Sequence, residues 1–157
     1  MKRLITVLSV LLFLAAFAPV AGAAEKNLVF ASPYGITTLD PSVSYSTEIT
    51  YMNNIYETLI RVNPPGSKQM FSYVLATGYT ASKDGLEYTF TLRKGVKFHD
   101  GTLFNAEAVK FSIDRTKKIG KGAAFIWDDV KEVQAVDDYT VKFVLNKPVP
   151  LPQIAAS

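Results

Sequence analysis

The sequence predicts a mixed α/β domain, and three stretches lead there. Leu86 to Leu92 alternates cleanly, with Leu86, Tyr88, Phe90 and Leu92 on one side and Glu87, Thr89 and Thr91 on the other. That is the pattern of a half-buried strand. Tyr139 to Leu145 repeats it, with Tyr139, Val141, Phe143 and Leu145 set against Thr140, Lys142 and Val144. Between them the period changes. At 100° per residue Ala106, Ala108, Val109, Ser112, Ile113 and Thr116 share one arc, whereas Glu107, Lys110, Asp114, Arg115, Lys117 and Lys118 occupy the other. Phe111 sits near the edge of this wet face of an amphipathic helix.

The chain opens with Lys2 and Arg3 and the apolar run Leu4 to Phe17, followed by Ala21-Gly22-Ala23. This is the build of a secretory signal peptide over residues 1–23, with cleavage expected between Ala23 and Ala24. The run is short of the roughly 20 apolar residues that a membrane span needs. There is no Cys to carry a lipid or a disulfide, so the expected product is exported and soluble. Lys2 and Arg3 account for much of the formal charge of +3. No stripe of Lys and Arg interleaved with stacking aromatics appears, which argues against nucleic acid as a partner.

Leu28 to Ala31 reads as a short buried strand, broken by Ser32-Pro33-Tyr34-Gly35 and again by Leu39-Asp40-Pro41. From Thr47 to Arg61, Ile49, Met52, Tyr56 and Leu59 recur at helical spacing, with Ser44 or Ser46 as a cap. Asn63-Pro64-Pro65-Gly66 ends that segment. Thr77 to Ala81 and the turn Ser82-Lys83-Asp84-Gly85 lead into the first alternating strand, and Gly78 marks a bulge or a close backbone approach. Lys94-Gly95 and Asp100-Gly101 are turns, Asn105 is the N-cap of the central helix, and Glu107 lies in its first turn. Gly120-Lys121-Gly122 connects to a hairpin of Val130 to Val136, Asp137-Asp138 and Tyr139 to Leu145. The chain closes after Pro150-Leu151-Pro152.

Few residues offer chemistry. A carboxylate beside an imidazole, as in His99-Asp100, could orient a general base. Neighbours on a strand point apart, however, and no Gly-x-Ser-x-Gly elbow or Cys supplies a nucleophile. The pair reads as a strand-end His followed by a turn Asp. One His and no Cys do not make a zinc site. Asp128-Asp129 and Asp137-Asp138 read as solvated loop acids, and Trp127 as a core anchor. No cofactor is expected, since no phosphate-cradling glycine loop is present.

The stretch GVKFHDGTLFNAEAVKFSIDR, residues 95–115, resembles the signature segment of bacterial extracellular solute-binding protein family 5. NIYETLIRV, LATGYTASKDGLEYTFTLRKG and VKEVQAVDDYTVKFVLNKPVP resemble the same family. Gly78 departs from its usual small polar residue. The resemblance covers nearly all of Leu28 to Pro150. It implies a type II periplasmic binding protein-like fold, truncated, whose α+β part present here holds hairpins and two amphipathic helices.

In such receptors two lobes joined by hinge strands enclose the solute, and the closed form docks on an ABC permease at the inner membrane. Residues 24–45 would then be the opening strand and loop of the first lobe, and residues 46–157 an incomplete inserted domain. Tyr34, Gly35 and Ile36 would approach the ligand. The implied protein is a periplasmic monomer that is no enzyme and binds a small solute, most often an oligopeptide, otherwise nickel or another solute. Two other readings differ in class. One is a self-contained secreted protein-interaction domain, which needs an exposed apolar patch around Phe111 and Phe125. The other is a small secreted hydrolase built on His99.

Overall fold

The computed structural model describes residues 29, 31, 33, 35–44 and 46–156. The expected signal peptide with its Ala23-Ala24 junction, and Tyr34, lie outside the described residues. In chain order the described elements are helix α1 (Ile49–Met52), strands β1 (Ile60–Val62), β2 (Phe71–Tyr73), β3 (Ala76–Ala81) and β4 (Glu87–Leu92), and helix α2 (Ala106–Ile119). A 3₁₀ turn (Ala124–Trp127), strands β5 (Val130–Asp137) and β6 (Thr140–Leu145), and helix α3 (Leu151–Ile154) follow.

Alternation builds the main sheet, which is antiparallel in the order β3-β4-β6-β5. Phe90 and Leu92 of β4 and Val141, Phe143 and Leu145 of β6 all turn to one face and are buried. On the other face Lys142 reaches Glu87 across the strands at 3.6 Å. The register of β3 slips between Ala76 and Gly78. A Cβ on Gly78 would meet nothing within 4 Å, so Gly78 marks a bulge and not a close approach.

Helix α2 lies on the apolar face of this sheet. Ala106, Val109 and Ile113 join Phe90, Val133, Val141 and Phe143 in one core. The expected arc is the one that is buried, except that Ser112 is exposed and Ala108 half-buried. Asn105 caps the helix by accepting from Ala108 N at 3.0 Å. Gly120 ends it in the left-handed region at φ 65°, donating to Thr116 O, with Lys117 and Lys118 in the last turn. Trp127 stacks on Phe143 with ring centroids 6.3 Å apart, which makes it the expected anchor.

Three segments differ from expectation. The helix read over Thr47 to Arg61 is only the four residues of α1. Ile55 and Tyr56 are exposed, and Ile60–Val62 pairs antiparallel with Phe71–Tyr73. Apolar residues at three- and four-residue spacing imitate a helix, but β-branched Thr58, Ile60 and Val62 favour an extended chain. That extended chain is then claimed by hydrogen bonds from Val74 N and Ala76 N to Leu59 O. The second difference lies at the end of the chain, where the fully buried Leu151 brings α3 into the core. Near the start, Val29 and Ala31 are exposed and belong to no strand, whereas Leu28 and Phe30 lie outside the described residues.

Candidate functional site

Of the residues expected to meet a ligand, the structure describes Gly35 and Ile36. Both are exposed, Ile36 to 50%, and a Cβ on Gly35 would meet nothing within 4 Å. They begin an irregular segment, residues 35–44, that has no regular secondary structure and would drift without fixed points. It has several.

Asp40 lies at the segment's tightest turn. Its carbonyl accepts from Val43 N and Ser44 N, each at 3.0 Å, and its Oδ1 accepts from Ser42 N at 3.0 Å. The same carboxylate takes a two-pronged hydrogen bond from Arg115 of α2, with Nη1 to Oδ1 at 2.8 Å and Nη2 to Oδ2 at 2.6 Å. The planar guanidinium matches the two carboxylate oxygens, which fixes the geometry as well as the charge pairing. Arg115 holds the Asp40 carboxyl below its ordinary value, and Asp40 in turn raises Arg115. The hydroxyls of Ser42 and Thr116, the residue after Arg115 on the helix, meet at 2.7 Å in a buried contact. Gly122 then lets the segment close down on the body. It sits at φ 53°, and a Cβ there would lie 2.7 Å from Val43 O, closer than real Cβ atoms come. Tyr56 OH donates to Leu39 O at 3.0 Å.

Glu48, just before α1, is 3% exposed. Its Oε1 accepts from Thr37 N at 3.1 Å and from Thr37 Oγ1 at 2.5 Å, and its Oε2 from Ser44 Oγ at 2.6 Å and Thr47 Oγ1 at 3.2 Å. The Ser44 hydroxyl first, then the Thr37 hydroxyl and N–H, pull its pKa down to about 2 from 4.5. A carboxyl whose folded-state pKa is depressed stabilises the fold above its unfolded value and loses that contribution as pH falls through the folded value. Thermal midpoints should therefore drop as pH is taken from about 5 to about 2.5, and drop less in Glu48→Gln, which has no such proton to gain. Equal slopes for the two proteins would contradict this.

An open groove of about 860 Å³ runs beside the segment, lined by Leu39, Pro41, Tyr56, Phe98, Phe111 and Arg115 among others. Phe111 is 68% exposed. Phe125 is exposed too but does not line this groove, so the two aromatics expected to share a patch are not brought together there. His99 also reaches the groove wall and is exposed. Asp100 beside it accepts at Oδ1 from Thr102 N at 2.9 Å and Thr102 Oγ1 at 2.6 Å, which is the work of a turn residue. Asp137 likewise accepts from Tyr139 N at 2.8 Å, and Asp129 pairs with Lys147 at 3.1 Å. Among the described residues no group of three or more His, Cys, Asp or Glu is placed to hold a metal ion. No described helix is long and apolar enough to cross a membrane.

Sequence reading missed both Glu48 and the Asp40–Arg115 pair. Of the two cap candidates, Ser44 and Ser46, neither side chain caps α1, and the Ser44 hydroxyl serves Glu48. The flanking hydroxyls, one four residues before Glu48 and one beside it, were the local signal. Asp40 and Arg115 are 75 residues apart, and no local pattern links them.

Residues 71–157 match the model of the bacterial extracellular solute-binding proteins, family 5 (middle region). The chain belongs to that family. Among curated relatives it is 39% identical over 157 residues to the probable D,D-dipeptide-binding periplasmic protein DdpA of Escherichia coli K12, covering 94% of this chain and 30% of that protein. It is 37% identical over 128 residues to the glutathione-binding protein GsiB of Escherichia coli O6:K15:H31 strain 536, covering 80% of this chain and 24% of that one. Among solved structures it is similar to NikA of Brucella suis in complex with Fe(III)-EDTA, with a TM-score of 0.71 and 33% identity. That match covers 81% of this chain and 26% of NikA. The chain thus spans less than a third of the length of these relatives. The fold is the mixed α/β build of periplasmic binding proteins, and the family and the two curated relatives are named as binding proteins.

Proposed function

We propose that this chain is part of the periplasmic solute-binding component of an ABC importer that takes up di- or oligopeptides. It would supply one wall of the solute cleft and no catalysis. Gly35 and Ile36, with Tyr34 just before them in sequence, form the rim that meets the solute. The observation that carries this is the anchoring of an exposed, irregular segment by the Asp40–Arg115 fork, the Ser42–Thr116 contact and the Glu48 hydrogen bonds. Contact residues held on a fixed loop can meet a ligand with little ordering left to do. DdpA and GsiB are named for a dipeptide and for the tripeptide glutathione, which favours peptides over nickel. On this reading residues 1–23 direct export to the periplasm, residues 24–45 belong to the first lobe and residues 46–157 to a domain inserted in it. A membrane permease receives the closed receptor, and ligand contacts to both lobes favour closure.

A small-ligand site normally buries about 70–90% of its ligand, and one wall does not reach that. Calorimetric titration of the 157-residue chain with mixed di- to pentapeptides, and separately with nickel, should therefore show binding weaker than micromolar. Micromolar or tighter binding by this chain alone would instead favour a self-contained binding domain.

A further inference from the structure

Glu48 is a buried carboxylate that no Lys or Arg among the described residues pairs with. Each group that reaches it is a hydroxyl or an amide: Thr37 through N–H and O–H, Ser44 and Thr47 through O–H. An ionised carboxylate is an acceptor only, with about four lone-pair sites on two oxygens. That inventory matches the donors around Glu48. Burying such a group is costly unless its hydrogen bonds are made, so Glu48 holds its place only while Thr37 and Ser44 hold theirs. The dependence runs both ways.

We infer that Glu48 is the positioning residue for the Gly35–Ile36 rim, acting through Thr37. This rests on the reading of that rim as the solute contact. Thr37 follows Ile36 directly, and both its N–H and its hydroxyl end on Glu48 Oε1, eleven residues on. The other fixed points lie further along. Among the described residues the Tyr56 hydroxyl holds residue 39, the Arg115 fork holds residue 40, the Thr116 hydroxyl holds residue 42, and Gly122 admits residue 43. Thr38 Oγ1 accepts from Asp40 N, a bond local to the segment that does not tie it to the body. The rim therefore takes its position from Glu48, whereas the tight turn at Asp40 takes its position from α2. The carboxylate never touches the solute in this scheme. It sets where Gly35 and Ile36 stand.

Amide hydrogen exchange on the intact chain tests this without any ligand, so its outcome does not depend on whether Gly35 and Ile36 meet a solute. Local opening at the rim accelerates the Thr37 amide and spares the sheet, whereas loss of global stability accelerates the sheet as well. In Glu48→Ala the Thr37 amide should exchange at least about tenfold faster, while Phe90 and Val141 in the sheet stay within about twofold of wild type. Glu48→Gln keeps an oxygen for Thr37 and can donate its amide to the Ser44 and Thr47 hydroxyls, so acceleration at Thr37 should be only about two- to fivefold. The Gln variant also decides the matter if the Ala variant does not fold. Unchanged Thr37 exchange in the variants that fold, or sheet amides accelerating in step with Thr37 in Glu48→Gln, would overturn the inference.

Discussion

Replacing Ile113 by Asp should unfold the domain or bring it to the edge of unfolding. Ile113 is 9% exposed and belongs to the single core shared by α2 and the four-stranded sheet. A carboxylate placed there would face Phe and Val side chains and would have to be protonated or dragged to water. An uncompensated buried charge costs about 3–5 kcal/mol, against a total stability of about 5–15 kcal/mol for a native domain. Phe111→Asp, two residues earlier on the same helix, is the matched control. Phe111 is 68% exposed, and the change there should stay within about 1 kcal/mol. Urea midpoints for the two variants separate the cases. Equal losses would mean that α2 does not present this face to the sheet.

Phe143→Ala should cost about 3–5 kcal/mol, the usual range for deleting a buried aromatic side chain. Phe143 is fully buried on the central strand β6 and meets Phe90 edge-on, with ring centroids 5.6 Å apart. A second ring against it is Trp127, stacked at 21° between planes. Truncation would leave a cavity between Phe90 on β4 and Trp127 at the end of the 3₁₀ turn, and rings of that size do not collapse readily into the space. Phe143→Leu keeps most of the volume and should cost about 1.5 kcal/mol or less. The check is a denaturant midpoint that shifts while the slope stays constant. A loss below 1 kcal/mol for the Ala variant would place the centre of the core elsewhere.

The parts of this fold that the sequence made legible are those whose physics is periodic. In β4 and β6 the alternation of Phe90 and Leu92, and of Val141, Phe143 and Leu145, points to one buried face, and that face is where the structure puts them. Helix α2 was readable because its arc, its Asn105 cap and its Gly120 terminus agree with one another. The stretch from Thr47 to Arg61 misled because Ile49, Met52, Tyr56 and Leu59 fit a helical period, while the partner that draws Ile60 into a strand, Tyr73, is distant in sequence. Leu151 went unnoticed for a related reason. A leucine between two prolines says loop, and only the tertiary fold supplies the core that buries it.

The site followed the same division. That Gly35 and Ile36 sit on an exposed segment could be read from the break at Pro33 and Gly35. What holds the segment could not, because Asp40 with Arg115, and Ser42 with Thr116, join residues more than seventy positions apart. Polar contacts of that kind leave no period in a sequence. Glu48 carried a weak local trace in Ser44 and Thr47, but its decisive partner, Thr37, lies on the far side of the turn.

The central claim is that solute is met by Gly35 and Ile36 on a segment held against the body of the domain. Nuclear magnetic resonance on the isotopically labelled chain tests it most directly, with dialanine and glutathione added at millimolar concentration so that weak contacts register. The account predicts amide shifts concentrated from Gly35 to Thr38, with Phe98, Phe111 and the sheet amides near their free positions. Shifts clustered at Phe98 and Phe111, with Gly35 to Thr38 unmoved, would contradict it and move the solute contact into the neighbouring groove.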